Sequence, residues 1–346
     1  MRRKLFDVIP VKMMRRCNDW NIFIGVLLVS LTLFIVSLHY KSKPVIKPTE
    51  KIPEGIPEVK RDKYGRSVMK DFVLSRRKRR AILEEACLNS TRDKTLDVSD
   101  LDHIIVSDKY KTLFCYVPKV ACSQWKKVFM LMSGNISDPN DLDEYSVHVT
   151  YKHLLQYLSE YKPAEIKHRI QTYKTVLMVR DPFDRLLSAF KNKFHGSGIK
   201  DVTFRNIAKN VVRKYRKGFK EPVEGDDVTF LEFIKYVIDD NEATSDEHWR
   251  PVTKLCAPCQ IGYDFIGKYE TIDEDADFIM SQIAAHLEFP AKPEAYGLSN
   301  TTKQIPFYMS QLPMSYIGKL WDIYKDDFTY FNYSYVKFIN DISYLV

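Results

Sequence analysis

The chain has 346 residues, of which 45% are hydrophobic and 13% aromatic, enough to bury a sizeable core in one large domain, and no internal repeat is visible. Its formal charge of +8, from 53 Lys and Arg against 45 Asp and Glu, suits acidic ligands such as phosphates and sulfated sugars. The first 40 residues hold six basic and two acidic side chains, so the excess beyond them is modest. With no homeodomain, zinc-finger or RNA-recognition signature either, nucleic acid is set aside as a partner.

The first element is an uncharged 17-residue run at 22–38 (IFIGVLLVSLTLFIVSL), flanked by Trp20 and Tyr40 and long enough to cross a bilayer as a helix. Arg2, Arg3, Lys4, Lys12, Arg15 and Arg16 precede it, so the positive-inside rule makes 1–19 a cytoplasmic tail and 20–40 a signal anchor, although Lys41, Lys43, Lys47 and Lys51 pull the other way. A cleaved signal peptide is the competing reading, but no small-x-small cleavage pattern follows. Residues 41–83 are rich in Lys and Pro and read as an extended lumenal stem. Within it Arg76 to Arg80 (RRKRR) reads first as a solvated charge run, with a processing site or a glycan-binding patch as alternatives. Asn-x-Ser/Thr sequons stand at Asn89, Asn135, Asn300 and Asn332, all beyond the anchor. Cys87, Cys115, Cys122, Cys256 and Cys259 are likewise beyond it, an odd number that leaves at least one thiol outside intrachain pairs. The Cys256-x-x-Cys259 pair lacks a second metal-binding half, which favours a structural role over zinc.

The body, 84–346, opens its pattern with a β-rich run at 111–117 (KTLFCYV) followed by a helix-compatible stretch at 123–132. A second strand, 174–179 (KTVLMV), leads through Arg180 to Asp181 as N-cap and Pro182 at the first helical position. Phe183, Leu186, Leu187 and Phe190 form the apolar face of that helix. A third strand, 263–268, enters a helix opened by Thr271 and Glu274 as a capping box, with Ile272, Ala276, Ile279, Met280, Ile283, Ala284 and Leu287 at helical spacing. Strands alternating with helices predict an α/β domain with a central, mostly parallel sheet, and ligands then bind beyond the carboxyl ends of the strands.

Two loops lie there. The first, 116–125 (YVPKVACSQW), presents Lys119 and backbone N–H groups at a helix N-terminus, a natural anion site although no Walker A pattern is present. In the second, 180–188 (RDPFDRLLS), Arg180 offers a fork of donors to a phosphate, while Arg185, Ser188 and Asn192 fall on one polar helix face. The plain alternative is a surface face with Arg180 paired to Asp184. Together the loops, with GDDVTFLEF, EHWRPVTKLCAPC, YDFIGKYE and DFTYFNYS further on, resemble the Golgi carbohydrate sulfotransferases, in particular the chondroitin and dermatan 4-O-sulfotransferases, over 101–333.

The resemblance implies a P-loop-kinase-like nucleotide-binding fold, 3′-phosphoadenylyl sulfate as donor, no metal requirement, and a glycosaminoglycan or glycoprotein glycan as acceptor. It also implies a single-pass type II protein of the Golgi membrane with a lumenal catalytic domain. On this chain Pro118, Lys119, Val120, Ala121, Cys122, Ser123 and Gln124 would hold the 5′-phosphosulfate, with Lys119 on the bridging oxygen. Arg180, Asp181, Pro182, Phe183, Asp184, Arg185, Leu186, Leu187 and Ser188 form the 3′-phosphate segment, Arg180 and Ser188 making the contacts. Sulfuryl transfer needs a base on the acceptor hydroxyl. Among His148, His153, His168, His195 and His248 the choice is His148, in EYSVHVT, with His248 second; His39 and His103 are read as too remote, and His286 as lying on the third helix. The run 205–220, with seven basic residues, reads either as a glycan-binding helix or as a solvated face. The rival readings are a Golgi glycosyltransferase, for which Asp141/Asp143 and Asp275/Asp277 formally supply an Asp-x-Asp pair, and a non-enzymatic anchored glycan-binding protein.

Overall fold

A computed structural model of the chain describes residues 68–90, 95–139, 142–195, 201–239, 246–284, 286–291, 301–336 and 338–339. These fall in one compact unit, Lys60–Val346. The apolar run 22–38 and Asn300 lie outside the described residues; among those described, no helix is long and apolar enough to cross a membrane.

Helix α1 is Val68–Asn89. Strands β1 (Ile104–Ser107) and β2 (Thr112–Cys115) follow, then α2 (Cys122–Ser133). One π-helical turn, Ser146–Thr150, precedes the two-residue β3 (Gln156–Tyr157) and α3 (Pro163–Thr172). Strand β4 (Lys174–Val179) leads into α4 (Pro182–Lys193), α5 (Val202–Tyr215) and α6 (Phe230–Asp239). The short helices α7 (Val252–Leu255) and α8 (Pro258–Ile261) precede β5 (Phe265–Lys268). Helices α9 (Ile272–Ile283), α10 (Thr301–Ser310) and α11 (Met314–Tyr330) complete the described elements.

The five strands form one sheet in the order β3-β1-β2-β4-β5. β2, β4 and β5 run parallel, with Cys115 opposite Leu177 and Leu177 opposite Ile266. β1 pairs antiparallel with both β2 and β3. The sheet is therefore mixed and not mostly parallel. The three strands visible in the sequence are its parallel half; the antiparallel edge adds β1, buried along its whole length and so without alternation, and the two-residue β3. β4 is buried from Thr175 to Val179, as a central strand covered on both faces must be. Gly267 of β5 has no room for a Cβ, which would collide with the Met178 side chain.

Two apolar clusters support this frame. One surrounds the sheet and includes Phe114, Trp125, Leu177 and Ile279. The other gathers α4, α5, α6, α10 and α11, with Phe183, Leu186, Leu187 and Phe190 of α4 buried as their spacing predicts. Each such side chain, removed from water, contributes about 1.5–3 kcal/mol.

The stem reading 41–83 is corrected at its C-terminal end, because 68–83 belong to α1. The RRKRR run sits on that helix and is not simply solvated. Arg76 and Arg79 both pair with the fully buried Asp275 carboxylate, at 2.6 and 2.7 Å, and Arg80 reaches Asp264 at 3.0 Å. Charged side chains buried this way demand partners, which the sequence alone could not display. Two disulfides join Cys87 to Cys259 and Cys115 to Cys256, leaving Cys122 as a thiol. The C-x-x-C pair is thus structural, its members bonded to different elements. Thr271 does not cap α9 with its side chain; its hydroxyl donates to Asp275 Oδ2 at 2.6 Å instead. α9 also ends at Ile283, so Leu287 is only packed against the core from beyond it.

Candidate active site

Because β2 and β4 are adjacent and parallel, the loops leaving their carboxyl ends emerge side by side, and a cleft of about 1290 Å³ opens there. In the first loop Lys119 and Ala121 adopt left-handed backbone with φ of 71° and 54°. Each such non-glycine residue costs on the order of 1–3 kcal/mol and persists only where its surroundings enforce it. Two guanidinium groups do so here: Arg180 Nη1 donates to the Lys119 carbonyl at 3.0 Å, and Arg185 Nε donates to the Pro118 carbonyl at 3.0 Å. The loop delivers the chain into α2, whose N-cap, Ala121, supplies no side-chain acceptor. Without one, the N-terminal N–H groups and their partial positive charge are left for an anion. Lys119 is half-buried and lines the cleft, and burial lowers its ammonium to about 8.

The second loop is fixed by Asp181, whose Oδ1 accepts from the Phe183 and Asp184 N–H groups at 3.0 Å each, the predicted N-cap. Burial pushes this carboxyl up to about 6 against those two bonds. Arg180 stacks on Tyr269 at 4.2 Å and is bound by Asp184 Oδ2 and Thr301 Oγ1. The Arg180–Asp184 pair weighed as the plain alternative is therefore present, but it is buried and belongs to the cleft wall, where Arg180 and Ser188 both lie.

Of the residues singled out in the two loops, Pro118, Lys119, Ala121, Cys122, Ser123, Gln124, Arg180 and Ser188 line the cleft. Val120, Phe183, Leu186 and Leu187 are core instead, and Asp181, Pro182 and Asp184 build the helix start. Arg185 corrects the helix-face reading. It is 1% exposed and faces inward, with Nη1 on the Arg250 carbonyl and Nη2 on the Glu247 carbonyl, both at 2.8 Å.

His148, on the π-helical turn, lines the same cleft. Its Nε2 lies 3.0 Å from Ser123 Oγ and its Nδ1 3.5 Å from Lys126 Nζ. Burial first, and the Lys126 charge second, lower the imidazole to about 4, so it is neutral at ordinary pH, the form a general base must have. His248 also reaches the cleft, with Nδ1 held 2.7 Å from Asp246 Oδ1 and its ring lowered chiefly by burial. His153 and His168 sit elsewhere, bonded to the Thr150 carbonyl and packed edge-on to Tyr173; His195 packs on Phe190. His286 lies past the end of α9, 3.0 Å from the Tyr110 hydroxyl. His103, read as remote, reaches the cleft wall: its Nε2 is 3.0 Å from Glu247 Oε2 and its ring stacks on Tyr116.

Glu247 is one of the cleft residues that sequence reasoning passed over, although it stands beside His248 in the same EHWRP motif. A carboxylate between Asp246 and the two rings His248 and Trp249 carried no spacing signal; its side-chain partners come from residues 102–116, far away in sequence.

The chain belongs to the sulfotransferase family, which matches residues 102–334. This sulfotransferase is 38% identical over 250 residues to carbohydrate sulfotransferase 14 of Danio rerio, covering 71% of its own length and 65% of that protein's. It is 35% identical over 260 residues to carbohydrate sulfotransferase 11 of Rattus norvegicus, covering 72% of each, and 35% identical over 271 residues to carbohydrate sulfotransferase 8 of Homo sapiens, covering 75% and 63%. No solved structure matches.

The basic run 205–220 of the sulfotransferase is largely paired. Arg213 binds Glu221, Lys209 approaches Glu224, and Arg216 makes a fork to Glu232 together with a bond to Asp227. These pairs offset part of the charge on which the glycan-binding reading of the run relies, while Lys217 and Lys220 are exposed. Of the Asp-x-Asp candidates, Asp275 is bound by Arg76 and Arg79, Asp143 accepts from the Ser146 N–H and lines the cleft, as Asp277 does, and Asp141 lies outside the described residues.

Proposed function

We propose that the chain transfers a sulfuryl group from 3′-phosphoadenylyl sulfate to a sugar hydroxyl, with position 4 of N-acetylgalactosamine in chondroitin or dermatan as the acceptor. It does so from the Golgi lumen as a single-pass type II protein anchored through 22–38, with glycans on its sequons. Asn89, Asn135 and Asn332 are exposed, as acceptor asparagines must be. The observation that carries the reading is that Lys119, the uncapped start of α2, Arg180 and Ser188 share one cleft. An adenosine bisphosphate is a ligand with anions at two ends, and this cleft offers cationic groups on two adjacent loops.

In this reading the acceptor oxygen attacks sulfur in line while the bond to the bridging phosphate oxygen breaks. The hydroxyl proton passes to the neutral imidazole of His148, and the electron pair stays with the leaving phosphate, whose charge Lys119 and the helix N-terminus offset. Positive side chains thereby do the electrostatic work, and the reading calls for no metal. Asp181 and Arg185 hold the loops without touching the donor. The acceptor assignment is supported by the YVPKVAC wording of the first loop and by kinship with carbohydrate sulfotransferases.

The test uses the full chain in detergent micelles. Protection from heat by 3′-phosphoadenosine 5′-phosphate, followed by sulfate transfer from labelled donor to desulfated chondroitin, is expected, with 4-sulfated disaccharides after digestion. Protection only by a sugar nucleotide with manganese would overturn the reaction class, and label at another carbon would overturn the acceptor assignment alone.

A further inference from the structure

Among the carboxylates that line the cleft, Glu247 is used by neither donor binding nor proton transfer, and its position is fixed by its neighbours. Glu247 is anchored twice. Its backbone carbonyl accepts from Arg185 Nη2, and the same guanidinium holds the Pro118 carbonyl of the donor loop. Its carboxylate oxygen Oε2 accepts from the Tyr116 hydroxyl at 3.1 Å and faces His103 Nε2 at 3.0 Å, while His103 Nδ1 rests on Asp102 Oδ1. All the hydrogen bonds described for this carboxylate converge on Oε2; the side chain is 37% exposed and lines the cleft.

Burial by itself would raise this acid, but the His103 bond and the neighbouring basic groups, Lys126 among them, outweigh it and hold it well below the usual carboxylate range. Glu247 is therefore a fixed anion. Lys126, lying over the Tyr116 ring at 3.9 Å, and His148 are its neighbours toward α2. An ionised carboxylate accepts hydrogen bonds only, so it selects donors and repels anions.

We infer that Glu247 is an acceptor-binding and specificity-determining residue: its cleft-facing oxygen accepts a hydrogen bond from a hydroxyl or acetamide N–H of the sugar being sulfated, and its charge rejects a sugar already carrying sulfate at that position. The inference rests on the sulfuryl-transfer reading. It adds to that reading a reason why the Tyr116–His103–Asp102 relay exists, since fixing one oxygen of a carboxylate orients the other. His103 is then a positioning residue acting through Glu247.

The experiment compares the wild-type full chain with Glu247→Gln, which keeps size and shape, and His103→Asn, which keeps a donor but shortens it. Protection by 3′-phosphoadenosine 5′-phosphate shows that each variant is folded with an intact donor site. Glu247→Gln is expected to raise the KM for desulfated chondroitin oligosaccharide about tenfold, the usual cost of losing a charge-assisted bond, at little change in kcat. It is also expected to narrow, by about tenfold, the preference for unsulfated over 6-sulfated acceptor, a readout that a merely structural role would not move. His103→Asn should change both quantities in the same direction by a smaller factor. An acceptor KM and a preference both within twofold of wild type, with donor protection kept, would overturn the inference. A loss confined to kcat would overturn it too, by making Glu247 the proton acceptor. If the wild type bound the donor product but sulfated no glycan, the underlying reading would fall, and this inference with it.

Discussion

Replacing Arg185 by Lys tests whether one buried side chain holds the two loops in register. The guanidinium makes three bonds, to the carbonyls of Pro118, Arg250 and Glu247 at 3.0, 2.8 and 2.8 Å. Lys keeps the charge facing buried Asp327, so the neighbouring carboxylate is not abandoned, but one ammonium lacks the planar fork that spans three divergent acceptors. With charged hydrogen bonds worth about 1.5–3 kcal/mol each, loss of two costs about 3–6 kcal/mol. For a body of this size that lowers Tm by roughly 10 °C, at about 2–4 °C per kcal/mol. Differential scanning fluorimetry with and without 3′-phosphoadenosine 5′-phosphate measures both consequences. The lower Tm should be accompanied by weaker protection, because the Pro118 carbonyl no longer fixes the strained Lys119 backbone. A variant within 2 °C of wild type and equally protected would refute the reasoning.

Three further outcomes follow from the same geometry. Burial sets Lys119 near 8, and its protonated form attracts the donor, so the donor KM should climb as pH rises through about 8 and the climb should vanish in Lys119→Ala; a flat wild-type profile between pH 7 and 9 counts against it. His148 works as a base only when neutral, so acceptor kcat/KM should fall on the acid side near pH 4 and not near 6.5, while His148→Ala should cost about 10²- to 10⁴-fold in kcat; an acid limb at the ordinary histidine value would show a solvated ring. Asp275→Asn strands Arg76 and Arg79 without their carboxylate and should destabilise the chain by about 3–5 kcal/mol in urea unfolding, whereas a change under about 1 kcal/mol would mean that α1 is held by its other contacts.

What could be read from the sequence was what repeats locally. β4, the Asp181-Pro182 helix start and the apolar face of α4 announce themselves within twelve residues, and each stands where its pattern put it. The paired signature loops likewise marked out Lys119, Arg180 and Ser188. What escaped depends on partners distant in the chain. Arg185 looked like one more polar helix position, yet its three acceptors lie 62 to 67 residues away. Glu247 needed His103, 144 residues earlier, before its carboxylate acquired a role. RRKRR read as solvated because Asp275 is almost 200 positions downstream. The Thr271 capping box failed for a related reason: Asp275, buried beneath two arginines, attracted the hydroxyl away from the backbone.

The disulfide between Cys87 and Cys259 encloses both signature loops, the His148 turn and Glu247 in one covalent ring. A protease that nicked any bond between those two cysteines would leave the fragments tethered, migrating as a single species until a reductant was added. Cutting within 76–80 falls outside the ring, so it would sever the N-terminal segment while sparing every catalytic side chain named above.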